Sequence, residues 1–407
     1  MRILIYGLNY VPELTGIGKY TGEFAVWLSE QNHEIRVVCA PPYYPAWQIS
    51  QGYANWWQHG QESDRLSIYR CPLWVPNKPS GLKRILHLLS FAISSFPIIL
   101  WQALRWKPDL VFVIAPAIAC SLGAKVAANL GGAKSWLHIQ DLEVEAAFEM
   151  GILSNNFLKN VTLKCEKLLI QQFDQVSTIA TPMQKRLIDK GIDQNRLQLF
   201  PNWVDTESIF PLDTPSPLRS ELGIRQDQIV VLYSGNMGKK QGLEIAIAAA
   251  KEINNPLILF ILCGDGSSRQ ELEIMAEGMG NVRFLPLQPL ENFNNLLNLA
   301  DIHLMPQRAD VADLVMPSKL GGILACGGAV IATANAYTEV ANVVNDAGGI
   351  VCIPQNVKQL VEKVEFLSQN HSDRQIMKIK ARQYSIRELS KHQILQNIHE
   401  LLIKLGK

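Results

Sequence analysis

The sequence predicts an α/β protein made of two doubly wound, Rossmann-like domains that face a common crevice. Three observations lead there. Short β-rich runs alternate with amphipathic helical stretches along the chain, the pattern of parallel sheets covered by helices on both faces. The rhythm restarts after a proline-rich stretch, 201–217, which reads as a linker. The 407 residues, 48% of them hydrophobic, exceed what one core normally holds, since single cores rarely grow past about 250–300 residues.

In the first half, strands are predicted at 2–7, 35–39, 110–114, 135–139, 176–179 and 197–200, with helices at 18–31, 117–130 and 156–172. In the second, strands are predicted at 229–233, 257–262, 282–285, 301–305, 328–332 and 349–352. Helices are expected there near 242–253, 267–278, 290–299 and 318–325. The domain boundaries follow: 1–202, 203–385, and a helical segment 386–407 that needs a surface to cover and is expected to pack back on the first domain.

Composition excludes several classes of function. The 38 Lys and Arg nearly cancel the 37 Asp and Glu, so no global basic field exists to hold nucleic acid. The seven cysteines are scattered without a C-x-x-C pair, which predicts small buried side chains in a reducing compartment and no structural metal site. The chain enters its first strand at once, without a signal-type apolar region, so a cytoplasmic location is expected. From Ile85 to Leu104 no charged residue occurs, while Lys83, Arg84, Arg105 and Lys107 flank the stretch. Polar residues and Pro97 interrupt it, and the next strand follows closely. The stretch therefore predicts a packed helix, one face of which touches a membrane surface, rather than a span.

Five loops carry candidate chemistry. Gly16 and Gly18 follow the first strand where a helix begins, so backbone amides there can approach an anion or a sugar. They do not form a dinucleotide fingerprint, because Thr21 stands where its third glycine belongs. His138 and Asp141 lie at the carboxyl end of the 135–139 strand, where open α/β sheets meet their ligands. Ser234-Gly235-Asn236-Met237-Gly238-Lys239-Lys240-Gln241-Gly242 joins a strand to a helix through glycines and two lysines, which suits a diphosphate. Cys263-Gly264-Asp265-Gly266 repeats the theme. Met316-Pro317-Ser318-Lys319-Leu320 sets a lysine at another helix start, with Ser318 read as its N-cap. Each loop alone also reads as an ordinary turn.

This ordered set of motifs, together with Pro201-Asn202-Trp203-Val204-Asp205, resembles the group 4 family of GT-B glycosyltransferases, and most closely its colanic-acid type of sugar transferase. The resemblance spans essentially the whole chain. It implies a retaining, metal-independent hexosyl transfer in exopolysaccharide biosynthesis. The donor would be a nucleotide sugar linked to UDP or GDP, a co-substrate rather than a cofactor, and the acceptor a glycan or a polyprenyl-linked sugar. By resemblance, Gly16 and Gly18 lie near the donor phosphates, and Gly235, Asn236, Gly238, Gly264 and Lys239 or Lys240 meet the diphosphate. Leu285 and Leu287 border the base, and Ser318, Lys319 and Leu320 contact phosphate or ribose. From their place at a carboxyl strand end, Asp141 and then His138 are the candidates for organising the acceptor or the reacting sugar. The basic-flanked Ile85–Leu104 helix gives a physical reason to expect lipid-linked acceptors and peripheral association with the inner face of the cytoplasmic membrane; the alternative is a buried helix of the first domain.

Two departures stand out. Asn236 and Gln241 occupy places where many family members carry Arg and Lys, and Gly322 stands where a second glutamate is common, a role Glu339 does not obviously fill. The alternatives are a nucleotide-sugar epimerase of the same architecture and, less favoured, a nicotinamide-dependent oxidoreductase.

Overall fold

The computed structural model describes residues 1–13, 16–77, 81–115, 118–141, 156–310 and 317–406. The chain divides into two compact units, 1–201 with 395–407, and 202–394.

The first unit holds an eight-stranded sheet in the order β3-β4-β2-β1-β5-β6-β7-β8. Its strands are β1 (Arg2–Gly7), β2 (Glu34–Cys39), β3 (Gln58–Ser63), β4 (Leu66–Arg70), β5 (Leu110–Ala115), β6 (Lys134–Ile139), β7 (Gln175–Thr178) and β8 (Leu197–Leu199). All pair in parallel except β3 with β4. Sequence reading anticipates the parallel strands because both faces are covered and their residues are continuously apolar: β1, β5 and β6 are buried almost throughout. It misses the β3–β4 hairpin. All six residues of β3 are exposed, so this edge strand carries no hydrophobic signal.

The second unit is an all-parallel six-stranded sheet, ordered β11-β10-β9-β12-β13-β14. Its strands are β9 (Ile229–Ser234), β10 (Ile258–Cys263), β11 (Val282–Leu285), β12 (Ile302–Pro306), β13 (Val330–Thr333) and β14 (Ile350–Cys352). The strand order reverses between β9 and β12, and between β1 and β5 in the first unit. At such a reversal the crossovers leave on opposite faces and open a crevice at the carboxyl ends.

The proline-rich stretch is not a free tether. Arg382 donates to the carbonyls of Thr206, Ile209 and Ala325, and Val204 bridges to Ser390, which fastens the stretch to the second unit. The expected 386–407 segment begins as a π-helical turn, Ser385–Leu389, before the Lys391–Leu405 helix. All seven cysteines are free thiols, and six are buried as expected. Cys165 is exposed.

The Gly81–Trp101 helix runs into a π-helical turn, Gln102–Trp106. It is fixed to the first unit by one stripe, His87, Phe91, Ser95 and Ile99. The Phe91 ring stacks on Tyr6 at 5.7 Å, and the Ser95 and Tyr6 hydroxyls are 2.7 Å apart. Gly131 allows the close approach behind it, since a Cβ there would lie 2.8 Å from the Ala103 carbonyl oxygen. Phe91→Ala is expected to destabilise the first unit by about 3–5 kcal/mol, read as a lowered denaturation midpoint for that unit.

Candidate functional site

Two turns of the second unit interlock at the carboxyl ends of β9 and β10. Gly235 donates its amide to the Cys263 carbonyl, Met237 to Asp265, and Ser268 back to Met237. Gly264 has φ 141, and a Cβ there would lie 2.0 Å from the Gly235 carbonyl oxygen. No side chain fits that approach. The glycines that look like ligand contacts in the sequence are thus first of all a packing requirement between two backbones.

The interlock changes what the loop can offer an anion. The amides of Gly235, Met237, Gly242, Gly266 and Ser268 all donate within the loops, and that of Gly238 donates to Gln241 Oε1 at 3.1 Å. The expected cradle of open amides is therefore largely used up. Asn236 is wedged by its loop: a Cβ on Gly266 would lie 2.6 Å from its Oδ1, and one on Gly238 3.2 Å from its Nδ2. Lys239 and Lys240 are exposed in a short 3-10 turn, Lys239–Gln241. Gly242, in the left-handed region at φ 63, ends that turn, so the helix starts at Glu244 rather than at 242 as predicted.

The side chain of Lys319 reaches the Gly235 turn from another element. It is half-buried, and its Nζ donates to Tyr233 Oη at 2.8 Å. The same ammonium lies 4.4 Å from the centre of the Tyr233 ring, and a Cβ on Gly235 would be 3.0 Å from it. Burial pushes the lysine down to about 8. Tyr233 in turn donates its proton to the Asn236 carbonyl at 2.5 Å, which leaves an oxygen lone pair for Lys319. Sequence reading missed Tyr233, because an aromatic residue inside an apolar strand carries no sign of a polar task. Arg308, just past β12, is held by Glu244 and Asp310, each at 3.2 Å. The β9–β12 reversal is thereby bordered by Lys319 and Arg308.

The remaining residues of this unit divide plainly. Ser318 is the first helical residue and not the N-cap, which is Pro317, so no serine side chain caps this helix. Leu320 is fully buried in a core cluster with Ile323, Leu324 and Val340. Its side chain therefore faces the core. Leu285 is partly buried against the β9–β10 core and accepts the Gly264 amide at 3.1 Å through its carbonyl, while Leu287 is exposed. Met316 lies outside the described residues.

In the first unit, Gly16 is an open N-cap with φ 64, whereas Gly18 is buried against Glu13, whose Oε2 would be 2.9 Å from an added Cβ. Glu13 itself is buried and accepts hydrogen bonds from the Asn9 side chain and from the Tyr43 and Tyr44 amides at 2.9–3.0 Å. Burial outweighs these bonds and raises its carboxyl. Asp141 is exposed just past β6. His138 is a different case from the one expected. It is enclosed by Phe112 and Phe200, and its Nδ1 meets Ser177 Oγ at 2.9 Å. Burial pushes the imidazole down to about 3, so it is a neutral core residue. The alternation that put it beside Gln140 could not tell a ligand-facing strand face from a covered one. Among the described residues no cluster of three or more His, Cys, Asp or Glu could hold a metal ion.

Comparison with known proteins gives a consistent result. Residues 15–203 match the model of the glycosyl transferase 4-like domain, and residues 216–384 that of glycosyl transferases group 1. WcaI of Escherichia coli (strain K12), assigned as a colanic acid biosynthesis glycosyl transferase, is 40% identical over 97% of this chain and 98% of its own. Sucrose-phosphate synthase from Thermosynechococcus elongatus superposes with TM-score 0.75 at 15% identity, covering 100% of this chain and 99% of its own. Anabaena HepE in complex with UDP does so with TM-score 0.71 at 16% identity, covering 99% of this chain and 100% of its own.

Gly264→Ala tests the interlocked turns. It is expected to destabilise the second unit by about 3 kcal/mol, because it adds a backbone clash to a strained φ, and calorimetry of the second unit's transition checks it.

Proposed function

The chain belongs to the group 4 GT-B glycosyltransferases, and on that premise we propose that it transfers a hexose with retention, without a metal, from a UDP- or GDP-linked donor held by its second unit. The observation that carries the reading is Lys319, a half-buried ammonium set over the Gly235 turn at the reversal of the second sheet. This is where an open parallel sheet binds its ligand, and where a diphosphate would find a fixed cation. The UDP bound by HepE supports a uridine donor by analogy of fold alone. The epimerase and oxidoreductase alternatives are not favoured by the relatives.

In the proposed reaction the bond from the anomeric carbon to the diphosphate oxygen breaks, and the acceptor oxygen takes its place on the same face. The acceptor proton passes to the departing phosphate, whose growing charge Lys319 opposes. Asp141 is the first unit's candidate for orienting the acceptor. The first departure from the family pattern fits this division: with Asn236 and Gln241 in place of Arg and Lys, the cation comes from the 318–325 helix. Lys239 and Lys240, being exposed and hydrated, would add less. The acceptor is proposed to be a glycan or polyprenyl-linked sugar of exopolysaccharide assembly, as the colanic acid assignment of WcaI suggests. Its site of action is proposed to be the cytoplasmic membrane surface, reached through 83–107.

Thermal-shift titration against UDP, GDP and their sugars tests the donor site. A ligand at 100 times its dissociation constant should add about 2.7 kcal/mol. Lys319→Ala is expected to weaken nucleoside diphosphate binding by about 10- to 100-fold, the worth of a hydrogen bond to a charged group, and the Lys239→Ala/Lys240→Ala pair to weaken it less. If the pair costs more than Lys319, the assignment of the main cation is wrong. Binding should also weaken as pH rises through about 8, where the free Lys319 ammonium loses its proton. Lys319→Arg should flatten that profile, because a guanidinium stays charged. Retention is read from the anomeric configuration of the product by NMR, and an inverted product would exclude the proposed mechanism.

A further inference from the structure

The Gly81–Trp106 stretch is long and apolar enough to cross a membrane, yet it has two unlike faces. One packs on the first unit through His87, Phe91, Ser95 and Ile99. Along the other, Leu82, Leu86, Leu89, Ile93, Trp101 and Leu104 recur at helical spacing and are exposed, Ile93 by 73%. The loops that bed the helix add exposed tryptophans. Trp57 donates its indole N–H to the Ser94 carbonyl at 3.0 Å, Trp56 lies against it, and Trp74 is tied to the helix through its amide to Ser90 Oγ. Trp56, Trp57 and Trp74 are 42–65% exposed. Indoles half in contact with protein and half outside it suit the headgroup level of a bilayer.

Charge decides between the possible occupants of this face. From Gly81 through Pro108 the chain has no Asp or Glu, while Lys83 and Arg84 stand at one end and Arg105 and Lys107 at the other. A second copy packed two-fold on this face, parallel or antiparallel, would set cation against cation. An anionic lipid surface complements both ends at once. The packed face argues against a span: lipid on all sides would strip the cover from β1, break the Tyr6–Ser95 hydrogen bond and leave the Ser95 hydroxyl in hydrocarbon.

We propose that this face is a monotopic docking surface for an anionic bilayer, with the helix lying in the membrane plane and Trp56, Trp57 and Trp74 as interfacial anchors beside it. The inference deepens the proposed membrane site of action, and rests on it only for the purpose of the contact, not for its geometry. The surface would bring the first unit to acceptors whose lipid end is held in the membrane.

The test is flotation of the full chain with vesicles of phosphatidylcholine alone or with phosphatidylglycerol. Binding at least tenfold stronger to the anionic vesicles is expected. It should be lost in Leu86→Gln/Ile93→Gln, and should fall about fivefold for each of Lys83, Arg84, Arg105 and Lys107 changed to Gln. Acyl-brominated lipid should quench the fluorescence of the wild type more than that of Trp56→Phe/Trp57→Phe. Because Leu86, Ile93 and the four cations are exposed, nucleoside diphosphate binding and the thermal transition should stay as in the wild type in their variants, so failure of the donor reading shows separately. No flotation with anionic vesicles, or equal flotation of Leu86→Gln/Ile93→Gln, would overturn the proposal. So would a wild-type dimer in sedimentation that this variant dissolves, since a second copy would then own the face.

Discussion

Two backbones that touch where no side chain can stand set the form of the second unit's ligand end. The 2.0 Å approach that any Cβ on Gly264 would make to the Gly235 carbonyl forces both turns into conformations natural to glycine. Once they meet, their amides satisfy one another, and Met237 is drawn wholly into the core beneath them. Amides that are spent on folding cannot also be spent on a ligand. The turn's geometry leaves room above Gly235 for a cationic side chain from another element.

Lys319 occupies that room, and Tyr233 explains why it stays there. The phenol proton is committed to the Asn236 carbonyl, so the oxygen can only accept from the lysine. Ring and hydroxyl together hold a long, flexible side chain in one place, which saves a ligand the entropy of ordering it. The same burial that lowers the lysine's proton affinity raises the value of its charge to a diphosphate, because less water screens it. Two exposed lysines on a short turn lack both advantages.

The first unit shows the same economy in its long helix. The small residues behind it, Gly123 and Gly131, bring it close to its neighbour, and the Tyr6 pair pins its middle. What remains outside is a stripe that the described residues do not cover. The β3–β4 hairpin is the edge of the sheet on this side; Tyr69 of β4 reaches Trp101, and the segments before and after the hairpin supply the flanking tryptophans.

By itself the sequence determined the two parallel sheets and nearly all of their strands, since buried apolar runs such as Leu110–Ala115 and Ile258–Cys263 leave little choice of structure. It also determined the family, through motifs whose order matters more than any one residue, and the place of the Ser318–Ala325 helix. It could not reveal β3, whose residues are polar because they face water on an edge, nor the fate of His138, whose covered position depends on Phe112 and Phe200 from distant parts of the chain. Only the tertiary structure decided that Leu320 is core, that most of the loop glycine amides bond within the loops, and that Lys319 rests on Tyr233. The reason is physical: burial along a strand or helix is periodic and so is written locally, while a hydrogen bond between residues 86 positions apart exists only once the sheet has brought them together.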